Sequence, residues 1–472
     1  MKIVFFNLCC AVFLFVTLLG YSQNTLILKK GIVVDSLLVP NTNNDFSIYL
    51  PKSFEMNKNW PVLFGFDSQR RASNLTRLYR EAAEEFGYIV AVSNFAEGQD
   101  LKEKAMYVST FMDYIFSVFP IQKDRVYVTG IDQDAKLMSL LPALNNEEVF
   151  GVIAIGDSHY YNSKIKIAKN FSYFGVLNVN NFRYRDFIKN KEYLKRKAIE
   201  ADVLTYEGTS DYPFPKLLKK PLSTFSLQAM LKGRIPKDST WVRNLFQHEL
   251  NEAVKELNQG RFVNAYEELK RVRAKFRLFL DTSSLLEKEK QIKKSRGYKK
   301  QKRLKSKYAN QESFFRYTYL LSLKEDVAEE KYENLGWWQY QMSELDTLAS
   351  KNEKYAQNMV LRVKGFLKNA ISEYKQTLSE KRKNFEKKMF LSILSTIVDK
   401  KDFESYREII SLSAQDQDYQ TALFYLEKLL VNEFTDMDAL YNIEGTLALR
   451  MSKEYNDLIK KYLGTSKYFF SN

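Results

Sequence analysis

Up to about residue 240 the chain alternates short β-branched or apolar runs with amphipathic stretches; beyond it, apolar positions recur at helical spacing and strand-like runs all but vanish. The first pattern is that of a mostly parallel sheet wrapped by helices. Strands are predicted at Thr25–Leu28, Asp45–Leu50, Trp60–Phe66, Tyr88–Ser93, Arg125–Gly130, Gly151–Gly156, Tyr173–Val179 and Val203–Glu207, which makes an eight-stranded sheet. Helices are predicted near Asn74–Phe86, Leu101–Val118, Ala135–Leu144, Tyr184–Ala198 and Pro215–Lys232.

Proline is absent after Pro236, and from Trp241 the pattern is all-α. Asn244–Leu257, a Gln259-Gly260-Arg261 turn and Phe262–Phe276 read as a helix pair, with Ala265, Leu269 and Val272 along one face. A second unit places Ala422, Leu426 and Leu429 on a helix followed by Ala439–Met451 and Glu454–Leu463. Pairs of this kind bury their apolar faces mainly against neighbouring pairs. The spacing resembles that of tetratricopeptide-type repeats, with Ala265 and Ala422 at the small position of the second helix, but no period runs through Asn310–Lys400. An irregular helical-repeat domain is expected.

Met1-Lys2 precede an apolar run from Ile3 to Leu19, after which Gly20 and Ser22 are small. This is the pattern of a cleaved secretory signal peptide spanning residues 1–22. The expected domains are therefore 23–240 (α/β) and 241–472 (helical). Cys9 and Cys10 both fall in the removed segment, so the mature chain is expected to carry neither disulfides nor thiolate metal sites. No lipoprotein signal accompanies them, and no later stretch is apolar enough to span a bilayer, which predicts a periplasmic or secreted protein.

Hydrophobic residues at 45% and aromatics at 14% exclude bulk disorder. The net charge of +15 suggests nucleic acid until its distribution is considered. Lys288–Lys307 holds eleven Lys or Arg against one Glu and so supplies about two thirds of the excess. No basic–aromatic stacking platform accompanies the run, so the expected contact is an anionic surface rather than nucleic acid. Trp337-Trp338, Tyr340 and Phe314-Phe315-Arg316-Tyr317 are expected in helix packing, or as binding anchors if exposed.

Candidate chemistry enters with three segments: Pro61–Asp67, Arg125-Val126-Tyr127-Val128-Thr129-Gly130, and Phe150–Gly156. Over about 200 residues these resemble the α/β-hydrolase superfamily, in particular secreted esterases of the feruloyl-esterase and polyhydroxybutyrate-depolymerase type. The resemblance implies a nucleophile elbow Gly-x-Ser-x-Gly after the fifth strand, an acid after a later strand and a histidine after the last. Here the elbow reads Gly130-Ile131-Asp132-Gln133-Asp134, so Asp132 replaces the serine. Asn181 stands at the acid position, and in Tyr206-Glu207-Gly208-Thr209-Ser210-Asp211 the frame of the histidine turn holds Ser210. A serine cannot act as general base near neutral pH, and an asparagine cannot supply the charge that stabilises an imidazolium. Ser158 lies after the next strand, outside the elbow.

The expectation is a secreted or periplasmic hydrolase-fold protein without its triad, acting as a scaffold that binds an envelope protein through its helical half, with no cofactor. A second reading makes Asp132 a nucleophile on an ester, epoxide or carbon–halogen bond, since haloalkane dehalogenases and epoxide hydrolases resemble esterases with aspartate at this elbow. The chain has two histidines; His159, near the rim of the sheet, is the base that reading requires, while His248 sits on a helix of the second domain. A third is binding of glycans or lipids in the vacated cleft. Asp67, Asp132 and Asp134 are weak candidates for a shared cation, although no ligand spacing supports one.

Overall fold

The computed structural model describes residues 29–94, 101–144, 148–164, 166–210, 212–378 and 384–468. The signal-peptide segment 1–22 and the strand predicted at Thr25–Leu28 lie outside the described residues, as does Asp211.

The α/β half runs β1 (Val33–Leu38), β2 (Asp45–Tyr49), β3 (Trp60–Asp67), α1 (Ala72–Phe86), β4 (Ile89–Asn94), α2 (Leu101–Val118), β5 (Ile121–Ile131), α3 (Gln133–Leu140), β6 (Gly151–Ile155), β7 (Ser172–Asn178), α4 (Tyr184–Arg196), β8 (Glu200–Tyr206) and α5 (Lys219–Leu231). The sheet has eight strands in the order β1-β2-β4-β3-β5-β6-β7-β8. β2 runs antiparallel to both of its neighbours, and from β4 onward every pairing is parallel. This is an α/β-hydrolase-type sheet.

The central strands read as continuous apolar runs because both faces are covered. One face packs on Phe111 and Ile115 of α2 and on Phe187 and Leu194 of α4. The other packs on Leu75, Tyr79 and Ala83 of α1 and on Leu222 and Phe225 of α5. β1 was not predicted, because Ser36 has φ 59° and the β1–β2 register shifts between Val34 and Leu37, which breaks the strand alternation.

The helical half continues with α6 (Ser239–Asn258), α7 (Phe262–Phe276), α8 (Ser283–Lys294), α9 (Arg296–Glu329), α10 (Leu335–Ser350), α11 (Lys354–Thr377), α12 (Phe385–Val398), α13 (Phe403–Gln415), α14 (Tyr419–Val431), α15 (Met437–Tyr441), α16 (Leu447–Arg450) and α17 (Lys453–Leu463). Ala265, Leu269, Val272, Ala422, Leu426 and Leu429 are all buried, as the helical periodicity requires. One expectation is corrected. The helix expected at Ala439–Met451 breaks into α15 and α16 around Gly445, whose φ of 74° is left-handed. The basic segment is divided at Ser295: its hydroxyl caps α9 by accepting from Tyr298 N at 3.2 Å, while Gly297 sits inside α9, where a Cβ would overlap the Phe262 ring.

A charged seam joins the halves. Glu312 of α9, only 1% exposed, is paired with Arg316 at 2.9 Å and with Arg362 of α11 at 2.7 Å. Each arginine also donates into the loop after β7, Arg362 to the Val179 carbonyl at 2.9 Å and Arg316 to the Phe182 carbonyl. Further along, Arg271 of α7 is ion-paired with Asp202 of β8 and with Glu268, and donates to the Val203 carbonyl. Burial would raise both carboxyls, but Arg271 overcomes it. Asp202 is held far below the carboxylate range by Arg271 and Lys191, and Glu268 is drawn down to about 2 by Arg271 and Lys220.

A carboxyl depressed in this way stabilises the fold above its ordinary value and loses that contribution as pH falls through the folded value. Arg271→Leu is therefore expected to cost about 3 kcal/mol at neutral pH in urea unfolding, the penalty for stranding a buried carboxylate. In the same variant the loss of stability between pH 4.5 and about 2, the window set by Glu268, becomes shallower than in the parent.

Candidate functional site

β5 delivers the chain to the elbow. Val126 to Ile131 are buried, and the strand then turns sharply into α3. Gly130 makes the turn sterically feasible, since a Cβ there would run into the backbone of Asp134 and Ala135. Asp132 stands at the apex with φ 51° and ψ −120°, a conformation that non-glycine residues adopt only when their surroundings impose it. Two bonds impose it here: Asp132 N donates to the Ile155 carbonyl at 2.8 Å, and its own carbonyl accepts from Lys136 N at 3.1 Å. Gly156, with φ 79°, lies beneath, where a Cβ would overlap Asp132 Oδ1. The geometry of a nucleophile elbow is thus present, with a carboxylate at its tip.

The second small position of the elbow is Asp134, which is buried and used. Its Oδ2 accepts from Ser68 N at 2.8 Å and from Ser68 Oγ at 2.9 Å, while its Oδ1 is buried with no hydrogen-bond partner among the described residues. Burial pushes the Asp134 carboxyl up, against the lowering effect of the Ser68 hydrogen bonds. Asp67 at the end of β3 accepts from Gln69 N at 3.0 Å and Arg71 N at 2.9 Å, and is ion-paired with the Arg71 guanidinium at 3.1 Å. The loop after β3 is where hydrolases of this fold take one oxyanion-hole amide. In this chain the Ser68, Gln69 and Arg71 amides of that loop are bonded to internal carboxylates.

Asp67 and Asp134 are committed to the loop, and among the described residues no group of three His, Cys, Asp or Glu side chains is placed to hold a metal ion.

Asn181 follows β7 and lies beside the elbow. Its Nδ2 donates to the Gly156 carbonyl at 3.0 Å and its Oδ1 accepts from Arg183 N at 2.8 Å. Ser210, after β8, is exposed, and its hydroxyl is turned back on Tyr212, donating to its carbonyl at 3.0 Å and accepting from its N at 3.1 Å. Ser158 is half-buried in a network of its own, bonded to the Tyr173 hydroxyl at 2.8 Å and Asn190 Nδ2 at 3.3 Å.

His159 follows β6. Its ring packs edge-on against Tyr161 at 5.4 Å, its backbone N donates to Ser139 Oγ, and its Nε2 is buried without a hydrogen-bond partner among the described residues. Burial and then Lys136 hold its pKa below the usual histidine value, so it is neutral near pH 7. His248, on α6, lines a different space altogether. That space is a cavity of about 990 Å³ between the two halves, bordered by Tyr206, Phe214, Leu304, Tyr308 and Tyr355.

Several residues around the elbow are ones that motif spacing does not mark. Asp157 is ion-paired with Arg183 at 3.1 Å; burial pushes its carboxyl up, with Arg183 opposing and Asp132 adding to the rise. Burial opposes the charge on the Arg71 guanidinium, and Asp67, Tyr212 and Asp132 together favour it, raising its pKa. A small cavity of about 310 Å³ opens here, lined by Lys136, Asp157, Ser158 and Arg183.

No family model matches the chain, and no curated protein matches it in sequence. Solved structures do resemble it. An S-formylglutathione hydrolase from Staphylococcus aureus is 11% identical, with a TM-score of 0.33, covering 42% of this chain and 99% of the other. Est1E from Butyrivibrio proteoclasticus gives the same values. The feruloyl esterase module from Clostridium thermocellum complexed with sinapinate is 10% identical, with a TM-score of 0.34, covering 41% of this chain and 85% of the other.

The strained apex carries a measurable consequence. Backbone strain of this kind costs about 1–3 kcal/mol, and glycine removes it at an entropic cost of about 0.5–1 kcal/mol. Asp132→Gly is expected to raise the unfolding free energy by about 1 kcal/mol. Gly156→Ala is expected to lower it by at least about 1 kcal/mol, because its φ is positive and its Cβ would displace the Asp132 carboxylate. Urea unfolding of the two variants against the parent checks both signs.

Proposed function

We propose that this chain is a hydrolase-fold protein that has given up ester hydrolysis and serves as a binding scaffold in the cell envelope, its helical half presenting the surface that a protein partner recognises. The observation that carries the reading is the state of the loop after β3. Amides that would stabilise an oxyanion are bonded to Asp67 and Asp134, so a tetrahedral intermediate at the elbow would have to compete with built-in carboxylates for them.

The three triad stations support it. They hold Asp132, Asn181 and Ser210, and the histidine nearest in sequence, His159, packs its ring edge-on against Tyr161. An aspartate can attack and form a covalent ester, but freeing the enzyme again requires a base to activate water. The same argument weakens the aspartate-nucleophile reading for ester, epoxide and carbon–halogen substrates alike. Envelope location rests on the apolar run and small residues at the start of the chain. No helix among the described residues is long and apolar enough to cross a membrane.

The chain from Gln23 onward is expected to hydrolyse p-nitrophenyl acetate no faster than Asp132→Ala, and to capture the same envelope protein from detergent-solubilised membranes with or without that substitution. Turnover that disappears in Asp132→Ala would refute the reading. So would capture that depends on the Asp132 carboxylate.

A further inference from the structure

The helix α9 carries one uninterrupted exposed stripe that the scaffold reading does not use. Arg296, Lys299, Arg303, Lys307, Asn310, Phe314, Tyr317 and Leu321 are separated by three or four residues throughout, so they share one face of the helix. All are exposed, Phe314 at 65%, Tyr317 at 68% and Leu321 at 44%. The opposite face is the packed one: Tyr308, Tyr319, Leu323 and Val327 lie in the core with Trp338 of α10 and Met359 of α11. From Arg296 to Leu321 the stripe extends about 37 Å at the rise of an α-helix.

Its two ends differ in chemistry. The N-terminal part is cationic and continues onto α8, where Lys288, Lys290, Lys293 and Lys294 are also exposed. Of the eleven basic residues between Lys288 and Lys307, only Lys290 is in an ion pair among the described residues, with Glu287 at 2.7 Å. The C-terminal part is two aromatics and a leucine, with Leu320 beside them at 45% exposure.

We propose that this face of α9 docks on an anionic phospholipid bilayer, its lysines and arginines lying over headgroup phosphates and Phe314, Tyr317 and Leu321 entering the interface. The charge pattern distinguishes a bilayer from an acidic protein. Nine of the eleven basic residues are lysine, the residue type depleted from protein–protein interfaces, where arginine and its bidentate geometry are favoured. A lysine is a mobile point charge suited to a diffuse layer of phosphates. Aromatic and aliphatic side chains on the face of a basic helix, with no acid interleaved from Arg296 to Leu321 on that stripe, are the composition of a helix lying in the plane of a membrane surface. The inference goes beyond the scaffold reading and stands whether or not Asp132 acts on a substrate.

The test uses the chain from Gln23 onward, so that the apolar run Ile3–Leu19 does not itself insert. It is expected to sediment with vesicles of phosphatidylcholine containing about 30% phosphatidylglycerol, to stay in solution with pure phosphatidylcholine vesicles, and to lose binding as salt is raised. The combined variant Lys299→Gln, Arg303→Gln, Lys307→Gln with Arg296→Gln is expected to weaken partitioning at least about a hundredfold. Phe314→Ser with Tyr317→Ser leaves the charge unchanged and is expected to weaken it about tenfold. These positions are exposed, and unchanged circular dichroism and thermal unfolding confirm that both variants fold.

Because both cysteines lie in residues 1–22, Phe314→Cys gives a single labelling site, and an environment-sensitive dye there is expected to brighten with anionic vesicles while one at Lys58→Cys does not. Equal binding to neutral and anionic vesicles, unaltered binding by the charge variant, or a silent dye at position 314 would each overturn the proposal. So would retention on an acidic protein column with no vesicle binding.

Discussion

The contact on which the arrangement of the two halves rests is a nearly fully buried carboxylate. Glu312 sits in the seam with Arg316 and Arg362; Arg362 also donates to the Val179 carbonyl and Arg316 to the Phe182 carbonyl, while Arg316 Nε is buried with no partner among the described residues. Removing charges from water is costly, and a buried ion cluster offsets the cost by pairing its members and directing donors at acceptors. Here the acceptors belong to the other half of the molecule. Neither half alone satisfies the set, which ties the position of α9 and α11 to the loop after β7.

That loop is also the place where a hydrolase would carry its catalytic acid. Asn181 lies between the two carbonyls gripped by the arginines, and its own amide is bonded to Gly156 beneath the elbow. The same loop therefore joins the elbow to the helical half. The loop after β3 is likewise fastened from within, its Ser68, Gln69 and Arg71 amides bonded to Asp134 and Asp67. The elbow keeps its strained backbone, yet its neighbourhood consists of ion pairs rather than a proton relay. Function lives in the site rather than the fold.

Much of the sheet was legible in the chain because strands buried on both faces, such as Ile89–Ser93 or Val62–Phe66, read as unbroken apolar runs. β1 was not, since a residue at positive φ disrupts the period of two that marks a strand. The elbow could be located from Gly130 and the strand before it. What surrounds it could not: Ser68 and Asp134 are 66 residues apart, and nothing local in either segment signals that they meet. The aromatic clusters show the limit of composition. Trp338 is fully buried while Tyr340, two residues on, is 59% exposed, and the sequence reading that assigned both to packing lacked the phase of the helix. Phe314 and Tyr317 likewise project outward although Phe315 and Tyr319 pack inward.

The outer edge of the sheet at β8 offers a last consequence. At Val203 the carbonyl accepts from Arg271 and the N–H donates to the Asp202 carboxylate at 2.8 Å, so the main chain at this point has no vacant partner to offer a further strand. Exposed strand edges invite pairing with other chains, both in recognition and in aggregation. With Arg271 of α7 drawn against it, Val203 is the point on this edge where the ladder cannot be extended by another strand.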